Sequence, residues 1–146
     1  MPSIKKLLSD QDQQIIVAAI REAEKNTSGE IRVHIETSFK GDILDQASHI
    51  FKKLKMHKTQ LRNGVLFYLA VKNRKFAILG DVGINQKVPE NFWDQIKETM
   101  IPYFRDSHFA EGLSRGIKMA GEKLKAHFPY QQDDVNELSD EISFGK

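Results

Sequence analysis

Val65 to Val71 reads Val-Leu-Phe-Tyr-Leu-Ala-Val, seven apolar residues without a break. The run falls far short of the roughly 18 residues that cross a bilayer. Gly64 before it and Lys72-Asn73-Arg74 after it mark it as a strand. A strand this apolar is buried on both faces. The chain must therefore build a sheet that helices cover on both sides.

The flanking segments fit that frame. Lys75 to Leu79 returns after the tight turn, so residues 64–79 form a hairpin. Residues 30–36 alternate, with Ile31, Val33 and Ile35 on one face and Arg32, His34 and Glu36 on the other. Ile43, Leu44, Ala47, Ile50, Phe51 and Leu54 space as an amphipathic helix between the two strands. That crossover makes the strands parallel and right-handed. A first helix is expected over 9–26, with Ser9 and Asp12 as a capping box and Gly29 as a left-handed stop. Lys52 to Lys58 reads as a helix end plus loop, a solvated basic face rather than a phosphate site. Gly80 to Val88 reads as a loop, Pro89 opens a helix through about Phe104, and Pro102 should kink or end it. Phe92 and Trp93 belong to the core. A last helix spans 109–127, where Gly112, Gly116 and Ala120 let a neighbour approach closely. The fold class is α/β: a three-layer α/β/α sandwich with a small mixed sheet. One domain is expected over 1–129, followed by an acidic tail over 130–146.

Several functions are excluded or disfavoured. There is no cysteine among the 146 residues, so disulfides, thiolate zinc sites and cysteine nucleophiles are impossible. The formal charge is only +2. Asp133, Asp134, Glu137, Asp140 and Glu141 concentrate negative charge in the tail, and the body lacks the basic and aromatic clusters of a nucleic-acid binder. No signal peptide, membrane insertion, P-loop or Gly-x-Ser-x-Gly elbow is read, and a cytoplasmic location is expected. His108 and Glu111, three apart, are more simply surface residues than metal ligands.

The topology gathers Ser28, Gly29, Glu30, Arg62, Asn63 and the segment 80–88 at one end of the sheet. Glu30 and Asp81 are hard anionic ligands, and Asn85 with loop carbonyls could complete an oxygen shell for calcium, or for magnesium with more water. Arg62 could hold a phosphate oxygen. The alternative is structural: the glycines turn the chain, and the carboxylates cap helices or pair with Arg62. The opposite end gathers Glu36 to Asp42, Lys72 to Arg74 and 105–111. There Asp42 and Asp45 suit a helix N-terminus.

Arg62-Asn-Gly-Val-Leu-Phe-Tyr-Leu-Ala-Val-Lys-Asn-Arg-Lys-Phe-Ala-Ile78 resembles the hairpin of TPM domains. Gly83-Ile84 with Val88-Pro89-Glu90 resembles their glycine-bearing loop. Met100-Ile-Pro-Tyr-Phe-Arg105 and Phe109-Ala-Glu-Gly-Leu113 with Gly116 resemble their ending. The likeness spans roughly 7–127, and the chain resembles a small stand-alone soluble bacterial branch. It implies an α/β/α sandwich, calcium binding in some members and acid-phosphatase activity in some. In others it implies an assembly or repair role for a membrane or protein complex. Asp81 and Asn85 depart from the family pattern. The expected function is divalent-cation binding with weak phosphoester hydrolysis; the alternative is a non-enzymatic interaction module, with the tail as recruiter.

Overall fold

A computed structural model of the chain describes residues 8–130 and 137–145. Asp133, Asp134 and Lys146 of the acidic tail lie outside the described residues. The elements are α1 (Asp10–Glu24), β1 (Glu30–Glu36), α2 (Ile43–Lys53), a 3-10 turn (Met56–Lys58), β2 (Gly64–Ala70), β3 (Lys75–Gly80), α3 (Val82–Lys87), α4 (Asp94–Arg105), α5 (Phe109–Leu124) and β4 (Ser143–Phe144). The sheet order is β3-β2-β1-β4. β1 and β2 run parallel with Glu30 opposite Gly64, β2 and β3 are antiparallel, and β4 runs parallel to β1. This is the α/β sandwich that the apolar strand demanded.

Local chemistry places each boundary. Ser9 and Asp12 form the capping box of α1, with Asp12 N–H donating to Ser9 Oγ at 3.0 Å and Ser9 N–H to Asp12 Oδ2 at 3.1 Å. Asp42 caps α2 by accepting from Leu44 N–H at 2.7 Å. Every residue of β2 is buried. Val65, Phe67 and Leu69 meet Ile31, Val33 and Ile35 under α1, α4 and α5, in one large apolar core. Leu66, Tyr68 and Ala70 face α2, where Ala47, Ile50, Phe51 and Met56 form a smaller one. α5 presses close to its neighbours because its small residues allow it. A Cβ on Gly116 would lie 2.3 Å from Met100 Sδ, and one on Gly121 would lie 2.7 Å from Ala23 Cβ.

Three local expectations are corrected. Gly29 is not left-handed; α1 stops at Lys25 in right-handed geometry, and Gly29 N–H donates to Thr27 Oγ1 at 3.1 Å. Residues 82–87 are helical, because Asp81 caps Val82 N–H at 2.7 Å and Ile84 is drawn into the core. Pro89 opens a turn rather than the helix. Phe92 N–H bonds Pro89 carbonyl at 3.0 Å and Asp94 N–H bonds Asn91 carbonyl at 3.2 Å, so α4 starts only at Asp94. Pro102 lies in the last turn of α4, which runs to Arg105.

The carboxy-terminal segment enters the sheet. Leu138 is buried among the α2-side residues, and Ile142 packs against the larger core. β4 pairs His34 with Ser143 and Ile35 with Phe144. Among the described residues no helix is long and apolar enough to cross a membrane.

Candidate functional site

The parallel crossover brings the expected cluster to one end of the sheet. Glu30 N–H donates to Asn63 carbonyl at 3.0 Å, Asn63 Nδ2 to Ser28 carbonyl at 2.8 Å, and Asp81 N–H to Gly64 carbonyl at 2.9 Å. Gly83 N–H donates to Arg62 carbonyl at 2.9 Å. Arg62 is held in the left-handed region, at φ 51°. Its guanidinium grips Asp81 with both prongs, Nε to Oδ2 and Nη2 to Oδ1, each at 2.8 Å. Such a fork is the strongest carboxylate geometry a side chain offers. The Asp81 side chain is 4% exposed and that of Arg62 is 44% exposed, so the carboxylate is sunk while its partner faces solvent.

Arg62, Asp81 and Asn85 share a cleft of about 290 Å³ with Ser48, Lys52 and His57. Asn85 Nδ2 donates to Gly80 carbonyl at 3.0 Å, which leaves its amide oxygen as a donor atom for a ligand. His57 Nδ1 is buried without a hydrogen-bond partner. Lys52 and His57 enter the cleft because α2 and the 3-10 turn pack across the same face. The stretch 52–58 therefore contributes to a concave surface, as its flat solvated reading does not suggest.

Glu30 goes elsewhere. It does not line this cleft. Its Oε1 accepts Leu138 N–H at 2.9 Å and, in a shorter contact, Glu137 N–H. Its Oε2 is buried and has no hydrogen-bond partner. Burial raises Glu30 to about 7, against the opposing pull of the two amide donors. Glu24, on the last turn of α1, is raised to about 9, first by burial and then by the Asp140 carboxyl beside it. The trio Glu30, Asp81 and Asn85 is thus split: Asp81 and Asn85 meet, and Glu30 faces the carboxy-terminal segment. Among the described residues no group of three or more His, Asp or Glu stands close enough to hold a metal ion.

At the other end of the α2 face lies a buried polar network that the sequence reading left as separate residues. Glu36 accepts from Tyr68 Oη in a short contact, from Gln46 Nε2 at 3.1 and 3.2 Å, and from His34 Nε2 at 3.1 Å. His34 Nδ1 lies 2.8 Å from Ser143 Oγ. Burial pushes Glu36 up, but the Tyr68, His34 and Gln46 contacts outweigh it and hold the carboxyl below its ordinary value. Burial lowers His34, with Glu36 opposing. One signal for this network was available. Arg32, His34 and Glu36 fill one face of β1 in a sheet whose neighbouring strand is buried on both sides.

The TPM domain family model matches residues 4–123, and the chain belongs to that family. Its fold is shared with solved structures. The BA42 protein of the psychrophilic bacterium Bizionia argentinensis is 46% identical, with TM-score 0.92 over 99% of this chain and all of that one. The N-terminal domain of a protein from P. gingivalis is 22% identical at TM-score 0.71, covering 86% of this chain and 82% of that one. An N-terminal domain from Corynebacterium glutamicum is 16% identical at TM-score 0.60, covering 92% and 79%. These last two share the fold. No curated protein matches the chain.

Proposed function

We propose that the chain binds a divalent cation, calcium first, in the Arg62–Asp81–Asn85 cleft, together with a phosphate-bearing ligand. The observation that carries this reading is the sunken Asp81 carboxylate, bidentate to a half-exposed Arg62, in a cleft with Lys52 and His57. Asp81 supplies one anionic oxygen ligand and Asn85 a neutral one. The rest of the shell falls to backbone carbonyls, water and the ligand itself. A bound cation would polarise a phosphoryl oxygen. Arg62 has two roles to divide. While it grips Asp81 it neutralises the carboxylate; released from Asp81, it offers its fork to a phosphate oxygen. Cation and Arg62 therefore compete for Asp81. Glu30 stands outside this reading, tied to the segment 137–138. Phosphoester hydrolysis is the extension of the same site. The test is a calcium titration followed by amide NMR, with magnesium as control. Saturable shifts clustered at 62–64 and 80–85 are expected, and Arg62→Ala should tighten binding by removing the competitor. No saturable shift at those residues would sink the reading.

A second reading, an interaction module, is favoured by Leu61 and Val82. Val82 lines the cleft, Leu61 precedes Arg62 in the chain, and the two residues are 48% and 57% exposed. Capture of a protein partner that Leu61→Ser and Val82→Ser together abolish, with no cation response, would select it.

A further inference from the structure

Ser143 is partly exposed on the edge strand β4, directly opposite His34 of β1. Its hydroxyl lies 2.8 Å from His34 Nδ1. The other ring nitrogen, Nε2, lies 3.1 Å from Glu36 Oε1. Glu36 already accepts from Tyr68 and Gln46, so it acts as an acceptor toward His34 as well. That assigns the ring proton to Nε2 and leaves Nδ1 as the acceptor for the Ser143 hydroxyl. A nucleophile, a base within hydrogen-bond reach and a third group orienting the base make up the arrangement that activates a serine. The two ring nitrogens are exchanged relative to the serine-protease triad, with the same division of roles. His34 and Glu36 are 4% and 7% exposed, and Tyr68 is fully buried, so the base is rigidly held. Gly145 N–H faces β1, bonding Ile35 carbonyl at 2.9 Å. Strand alternation then turns the Phe144 N–H away from β1, beside the serine on the open side. The amide following a nucleophile is a recurring donor to a developing oxyanion.

We propose that Ser143 is an activated nucleophile toward carboxylic esters, with His34 as its general base and Glu36 as the positioning residue. This proposal is independent of the cation cleft. In the step, Ser143 Oγ bonds to the ester carbonyl carbon as its proton passes to His34 Nδ1. The carbon–oxygen bond to the alcohol then breaks, and His34 returns the proton to the departing alcohol. Water attacks the acyl-serine in the same manner and restores the hydroxyl. His34 must be uncharged to act. Burial and the nearby positive charges of Lys53 and Arg32 keep it so against the pull of Glu36.

The test uses the full chain and a fluorophosphonate probe, which a nucleophilic serine attacks with loss of fluoride. Peptide mapping should find the adduct on Ser143, and its rate should fall on acidification as His34 gains a proton, at a pH below the ordinary histidine range because burial lowers the group. Ser143→Ala should abolish it. Glu36→Gln and His34→Gln should slow it about a hundredfold or more, the scale of general-base assistance, while NMR shows β4 still paired. Should either variant lose β4, the pH profile of the unaltered chain decides. A rate that does not fall on acidification while β4 stays paired, an equal rate in unfolded chain, or no adduct on Ser143 would overturn the proposal.

Discussion

The two faces of the sheet are held by different physics. The face under α1, α4 and α5 is apolar throughout, from Ile16 and Ile20 through Val33 and Phe67 to Met100 and Ile117. The face under α2 carries a smaller apolar core and the buried chemistry beside it: Glu30, His34, Glu36, Tyr68 and Asp81. One β-strand supplies both. β1 alternates Ile31, Val33 and Ile35 with Glu30, Arg32, His34 and Glu36, and only the second set needs partners. Those partners come from distant parts of the chain. The apolar face holds by non-directional area burial, whereas the polar face depends on directional hydrogen bonds that match most of its buried donors and acceptors. The carboxy-terminal segment provides several of the matches, so this face is finished last along the chain.

That contrast can be broken at either face. The largest loss is expected on the apolar side, where Phe67→Ala should cost about 3–5 kcal/mol, the usual range for emptying a buried phenylalanine site. Denaturant unfolding checks it. Leu138→Ala comes next, at about 2–4 kcal/mol, because Leu138 is the segment's apolar anchor among the α2-side residues. Its loss should also accelerate exchange of the Ser143 to Gly145 amides, whereas Phe67→Ala should destabilise globally without singling them out. Tyr68→Phe should cost about 1–3 kcal/mol by leaving a buried Glu36 oxygen short of a donor. The smallest effect is local and pH-dependent. Glu30 is raised from 4.5 to about 7 on folding, so the protonated form is favoured in the native state. The closed arrangement is at full stability below about 4.5 and loses it as pH rises through about 7, because burial of the ionised carboxyl outweighs the Glu137 and Leu138 amide bonds that favour it. Protection of the Glu137 and Leu138 amides should fall across that window, and Glu30→Gln should flatten the response. Protection that instead rises with pH would reverse the assigned direction.

Much of the architecture was legible because it is written in short repeats. The buried hairpin, the alternating β1 and the stripes of α2 and α5 all come from residues within a few positions of one another. The local capping chemistry was legible for Ser9 and Asp12 and misread for 81–93. There a cap at Asp81 and a core contact at Ile84 made a helix where two glycines suggested a loop. Asp81 both caps α3 and pairs with Arg62. Glu30 and Asp81 take different partners for a geometric reason. Asp81 N–H bonds to Gly64 carbonyl on one side of β2, and Glu30 pairs with Gly64 from the other side. They reach the same end of the sheet on opposite flanks of one strand.

By itself the sequence determined that a two-sided sheet must form, which residues face its apolar core, and that the chain belongs with the TPM domains. Tertiary structure alone decided which polar groups meet. Glu30 and Glu137 are 107 residues apart, and His34 and Ser143 are 109 apart. Periodicity is a property of neighbours along the chain and is set by backbone geometry. A hydrogen bond across a hundred residues depends on sheet register and on where the last segment docks, and no local pattern encodes either.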